Sequence, residues 1–259
     1  MRIKILTSLP HADLQAISFL GLLKEKWDNN DITIVTDGYY DFLHVIGLPT
    51  SSVIRHLQQE RERLIPIVYS PLGTIAPWNK IPIPKTLGKY IAWHACGKHE
   101  YEYLQQQFTP TTITWLKNPV TTTDLTAADF ASAIQRFYQE VLEHHEDFIW
   151  SLIRQRIGLL HLKEEQPELF QVLQQILYVE YKFKRKQILS SNIEELGHLM
   201  HEMKYDEDEL ANSLQALHTY DFMASLEQVM EERKLLSEGF MPIPALQNRI
   251  TKKINKTII

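Results

Sequence analysis

The chain has 259 residues, 44% of them hydrophobic and 23% charged, with a formal net charge of −5. Such a composition belongs to a globular protein whose core is large enough to need no covalent staples. The acidic balance argues against a nucleic-acid partner, whose phosphates call for a surplus of Lys and Arg on one face. A single cysteine, Cys96, excludes an internal disulfide and fits a reducing compartment. The opening MRIKILTSLP has too short an apolar run for a signal peptide, and no stretch reaches the roughly 20 apolar residues of a membrane-spanning helix. A cytoplasmic location is therefore expected.

As far as about Val120, short β-rich runs alternate with helical patterns. Ile3 to Thr7 reads as a strand ended by Ser8 and Pro10. Ala12 to Trp27 follows, with Leu14, Ile17 and Leu20 at helical spacing. Asp31 to Thr36, Phe42 to Ile46, Ile65 to Ser70, Tyr90 to Ala95 and Ile113 to Leu116 read as further strands. Helices are expected from Ser51 to Arg63 and from Lys98 to Gln107. The alternation predicts an α/β, Rossmann-like domain over residues 1–120, its mainly parallel sheet set between helices. One connection is at odds with this. Only Asp37 to Asp41 separate the second and third strands, whereas a crossover between parallel neighbours takes a dozen or more residues, and Asp37-Gly38 suits a hairpin turn. Either these strands pair antiparallel or they are not neighbours.

Residues 121–259 read as an all-helical region. Thr126 is placed to cap a helix carrying Phe130, Ile134, Phe137, Val141, Phe148, Ile149, Leu152 and Ile153. Pro167 stands at the start of the next, where a first-turn proline is tolerated. Ser191 or Asn192 caps a short helix ending near Met203, and Asp206 to Glu209 open another with the acidic first turn that the helix dipole favours. Gly239, Pro242 and Pro244 break the last, leaving a basic tail, QNRITKKINKTII, that reads as frayed.

Segments of the first domain resemble a known family. FLHVIGL at Phe42 to Leu48 is similar to its strand ending in histidine. IPIVYSPLGTIAPW at Ile65 to Trp78 is similar to its strand ending in "SP-x-G" with a downstream "PW". WHACGKHEYEYL at Trp93 to Leu104 is similar to its strand-to-helix step with a glutamate, here Glu100. ITWLKNPV at Ile113 to Val120 is similar to its strand ending in "N-P-V". Together they resemble the amino-terminal, acceptor-side domain of GT-B glycosyltransferases of the retaining family 4 type, over a little under half of the chain. The resemblance implies a place in bacterial-type polysaccharide or glycan synthesis, with a glycan or lipid-linked acceptor. The chain also departs from that pattern. The turn after the first strand, SLPHAD, has no glycine, Leu72 stands where the family often has a histidine, and Gly97 replaces its serine. No second α/β domain is legible to hold the nucleotide. Three readings follow: an acceptor-side half-enzyme whose partner chain carries the nucleotide-sugar domain, a non-catalytic binding or scaffold protein, or a complete transferase of unusual architecture. The absent glycine turn and Leu72 favour the second over the third.

In an open parallel sheet, ligands bind beyond the carboxyl ends of the strands. The candidate ligand-binding residues there are Ser8, His11, Ser70, Gly73, Thr74 and Glu100, with no catalytic residue assigned. For His11 the competing role is helix capping, for Gly73 a turn, for Glu100 a helix amino-terminus. The rim is expected to stay open. The alternative is that the helical region covers it and Leu72 packs there. His44 reads equally as a rim group or a satisfied buried ring. His94, Cys96 and His99 lack the ligand set a metal needs, so neither metal nor other cofactor is expected. His144 and His145 sit on a helix, as do His198 and His201, whose i,i+3 spacing could face a metal but reads as a solvated face. Any membrane contact would run through Lys182, Lys184, Arg185 and Lys186.

Overall fold

The computed structural model describes residues 1–7, 21, 32–75, 83–109, 111–117, 126–160, 166–234 and 243–258. The chain divides into two compact units, Met1–Glu146 and Asp147–Ile259. In the first, β1 (Arg2–Thr7), β2 (Thr33–Val35), β3 (Phe42–Ile46), β4 (Ile67–Ser70), β5 (Ala92–Ala95) and β6 (Ile113–Trp115) form one sheet. Its order is β2-β1-β3-β4-β5-β6 and every neighbouring pair is parallel. The expected helix from Ala12 lies outside the described residues, apart from Gly21.

The short second connection is resolved by register. β2 and β3 are not neighbours but flank β1, both parallel to it. Val35 lies level with Lys4 and Phe42 with Ile3, so the chain drops back hardly at all along the strand axis. It has only to cross two strand spacings, about 10 Å, which the residues between Val35 and Phe42 span easily. Gly38 turns there at φ 86°. Asp41 anchors the return, its amide donating to the Arg2 carbonyl and its carboxylate accepting from the Arg2 amide at 2.6 Å.

Alternation along the strands builds two cores. Leu43, Val45, Ile67, Tyr69, Trp93 and Ala95 point to one face. There they meet α1 (Ser51–Glu62), α2 (Lys85–Gly88) and α3 (Lys98–Phe108) through Val53, Leu57, Leu87, Leu104 and Phe108. Tyr69, Trp93 and Phe108 stack in series, with ring centroids 5.2 and 5.0 Å apart. The other face carries Ile3, Phe42, Ile46, Val68 and Ala92. It packs with Phe130, Ile134, Phe137, Tyr138 and Val141 of α4 (Ala127–Gly158). Thr126 caps α4 as expected, accepting from the Asp129 amide at 3.1 Å. The sheet-bearing unit thus runs beyond Val120, since the beginning of α4 supplies one of its cores.

The second unit holds the rest of α4, then α5 (Pro167–Lys184), α6 (Ser190–Glu202), α7 (Glu207–Ala216), α8 (Tyr220–Glu232) and α9 (Arg249–Thr257). Among the described residues, no strand follows Trp115. Pro167 opens α5, and Asp206 caps α7 by accepting from the Glu209 amide at 2.9 Å. The basic tail is a helix, not a frayed end. The Asn248 side chain accepts from the Ile250 and Thr251 amides, and the Thr251 hydroxyl accepts from the Asn248 amide. No described helix is long and apolar enough to cross a membrane.

Candidate functional site

The carboxyl ends of β3, β4 and β5 bring His44, Ser70 and His94 to the same sheet face, opposite Tyr138 of α4. All four are completely buried. They form one chain of hydrogen bonds: Tyr138 Oη to His44 Nδ1 at 2.8 Å, His44 Nε2 to Ser70 Oγ at 2.7 Å, Ser70 Oγ to His94 Nδ1 at 2.8 Å, and His94 Nε2 to the Leu116 carbonyl at 3.1 Å. The last partner fixes the direction of all the others. A carbonyl only accepts, so His94 Nε2 carries the proton and Nδ1 of the neutral ring accepts. Ser70 therefore donates to His94 and accepts from His44 Nε2–H, and Tyr138 donates to His44 Nδ1. Both rings are held neutral. Burial, with His94 nearby, pulls His44 down to about 3; burial, partly offset by the Leu116 carbonyl, pulls His94 down to about 4. Burial likewise drives the Tyr138 hydroxyl well above its ordinary value.

Beyond Ser70 the chain turns sharply. The Thr74 amide donates to the Pro71 carbonyl at 3.2 Å. The two central residues, Leu72 at φ 56° and Gly73 at φ 78°, both lie in the left-handed region, as in a type I′ turn. Gly73 takes that geometry freely, whereas Leu72 accepts backbone strain of order 1 kcal/mol. In return its side chain enters the core with Phe130 and Ile134. Thr74, half-buried, donates its hydroxyl to the Pro71 carbonyl at 2.6 Å.

Glu100, in the first turn of α3, locks this turn to the next strand. Its Oε1 accepts from the Gly73 amide at 3.0 Å and its Oε2 from the Cys96 amide at 2.9 Å. Burial raises its carboxyl to about 7, against the opposing pull of the Cys96, Ile75 and Gly73 amides. Burial and then the nearby Glu100 push the Cys96 thiol up as well, away from nucleophilic use.

The structure thus brings Ser70, Gly73, Thr74 and Glu100 together, and partners each within the chain. Ser8 and His11 lie outside the described residues, as do Asp13 and Trp78. For Ser70 and Leu72 the rim is covered by α4. His99 is exposed, and among the described residues no three His, Cys, Asp or Glu side chains converge to hold a metal. His198 and His201 are exposed, whereas His145 is buried and donates to the Leu64 carbonyl at 2.8 Å. The basic run of α5 is also largely engaged. Arg185 is buried and bonds the Tyr181 hydroxyl, Lys184 pairs with Glu180 at 2.8 Å, and Lys182 lies over the Tyr178 ring.

The side chain that sequence reasoning missed is Tyr138, which it left out of the α4 pattern. A spacing of eight residues from Phe130 puts it on the same helix face, and that signal was available. Fold and site define a Rossmann-like α/β unit with a polar chain sealed beneath its strand ends, followed by a helical unit. Comparisons with models of protein families, with curated proteins and with solved structures give no match.

Proposed function

We propose that this chain is a non-catalytic binding scaffold built on a glycosyltransferase-like acceptor domain. The observation that carries the reading is the self-satisfied rim at the end of β4. Sugar transfer needs groups aimed at a developing positive sugar and a departing diphosphate. Here Ser70 is spent between two neutral imidazoles, Leu72 is packed into a core, and the Gly73 amide already donates to Glu100. An amide so placed would suit a diphosphate if free. Paired with a carboxyl group, it offers an anion nothing. The partner of such a scaffold is a protein of glycan or polysaccharide synthesis, carrying the nucleotide-sugar domain or a lipid-linked acceptor.

Calorimetric titration of the isolated chain with uridine and guanosine diphosphate sugars tests the reading, and no micromolar binding is expected. A pull-down from the native host identifies the partner. Micromolar affinity in the isolated chain overturns the proposal. Turnover by the reconstituted pair, absent from the partner alone, replaces it with the half-enzyme reading.

A further inference from the structure

Helix α9 presents a face that nothing among the described residues answers. Arg249, Lys252, Lys253 and Lys256 are all exposed, and the helix carries no acidic residue. At about 100° per residue, the four fall within an arc of roughly 100° and make one stripe. The opposite face is fixed by packing. Ile254 and Thr251 are buried, Asn248 accepts from the Ser225 hydroxyl at 3.1 Å, and Asn255 donates to Glu232 at 2.9 Å. Those contacts run α9 alongside α8 and leave the helix no freedom to turn its cations inward.

Several of the unit's other basic side chains are engaged within it. Arg156 bridges Glu180, the Leu217 carbonyl and Thr219, Lys184 pairs with Glu180, and Lys182 and Arg185 lie over tyrosine rings. Among the described residues, none of the four α9 cations makes an ion pair. The chain is acidic overall, yet α9 itself carries four cations and no carboxylate.

We propose that the α9 stripe docks the chain on an anionic membrane surface, its four cations meeting lipid phosphate headgroups. A flat array of headgroups suits four cations in a row on a fixed helix. A polynucleotide site would call for aromatic stacking or groove-reaching side chains, and α9 has no aromatic residue. Ile250, partly exposed and about 60° round the helix from Lys253, adds an apolar edge suited to the headgroup boundary. Such docking does not depend on the function of the β4 rim.

The test is co-sedimentation of the full chain with phosphatidylcholine vesicles, with and without phosphatidylglycerol, at low and rising salt. Binding is expected only with phosphatidylglycerol, and salt should release it. One cation at such a surface is worth about fivefold in partitioning. The double variant Lys252→Gln/Lys253→Gln should therefore bind about 25-fold more weakly, while Lys204→Gln, at an exposed position between α6 and α7, leaves binding unchanged. Circular dichroism confirms that the variants are folded. Should the double variant unfold, Arg249→Gln and Lys256→Gln, made singly, should each lose about fivefold. No sedimentation at low salt, undiminished binding by these variants, or retention on oligonucleotides without vesicle binding overturns the proposal.

Discussion

At the scale of single residues, the unit is governed by buried groups kept neutral, and this makes its stability depend on pH in two opposite senses. His44 and His94 are held at about 3 and about 4, below the value of about 6.5 for an unfolded chain. Their contribution is complete above that value and is lost as pH falls towards 3. Each tenfold mismatch in proton affinity is worth about 1.4 kcal/mol. Glu100 is held at about 7 and Glu227, in α8, at about 8. Their contribution is complete below about 4.5 and disappears as pH rises through those values. Urea midpoints measured against pH should therefore peak in the weakly acidic range and fall on both sides. Glu227 offers the sharper check. It is fully buried, and neither carboxyl oxygen has a hydrogen-bond partner among the described residues. Glu227→Met should stabilise the fold by about 1–3 kcal/mol, because a desolvated polar group gives way to an apolar one. That gain should be larger at about pH 9 than at about pH 6. Ser70→Val should do the opposite, costing roughly 2 kcal/mol or more by orphaning two imidazole nitrogens at once.

At the scale of elements, the strands were legible because each is a short apolar run closed by turn residues. What the sequence left open was how they combine. His44, Ser70 and His94 each sit where the alternation of their strand points to the α4 side, but only the β3-β4-β5 order makes them neighbours. Tyr138 is 94 positions from His44, and no local pattern reports such a meeting. The tail misled for another reason. Its charge density suggested fraying, while the Asn248-to-Thr251 spacing, a capping signature, held the contrary information. Asn248→Ala should cost about 1–2 kcal/mol and lower the helical signal in circular dichroism before global unfolding. The short α2, absent from the sequence pattern, owes its place to tight packing. A β-carbon added at Gly88 would come within 2.2 Å of the Phe108 ring, part of the Tyr69–Trp93–Phe108 stack. Gly88→Ala should therefore destabilise the fold by about 1–3 kcal/mol, read as a lowered thermal midpoint.

At the scale of the whole chain, the change from strands to helices near Val120 marks a change of secondary structure but not the limit of the first compact unit, which reaches Glu146. Among the described residues, Phe130, Ile134, Phe137, Tyr138 and Val141 of α4 cover the sheet face that carries Ile3, Phe42, Ile46, Val68 and Ala92. A fragment of residues 1–120 should consequently aggregate, whereas one of residues 1–158, keeping α4 whole, should remain monomeric in gel filtration.

The one-way run from Tyr138 to the Leu116 carbonyl has a consequence for observing the protein as well. Among its 11 histidines, His44 and His94 have ring protons locked on Nε2 and shielded from water. Both should give downfield magnetic-resonance signals that persist in aqueous buffer while those of exposed imidazoles vanish by exchange. Reversing any one bond would require reversing the others, because the terminal carbonyl has no proton to give. The two signals should therefore broaden together, reporting on the lifting of α4 from the sheet as a single event.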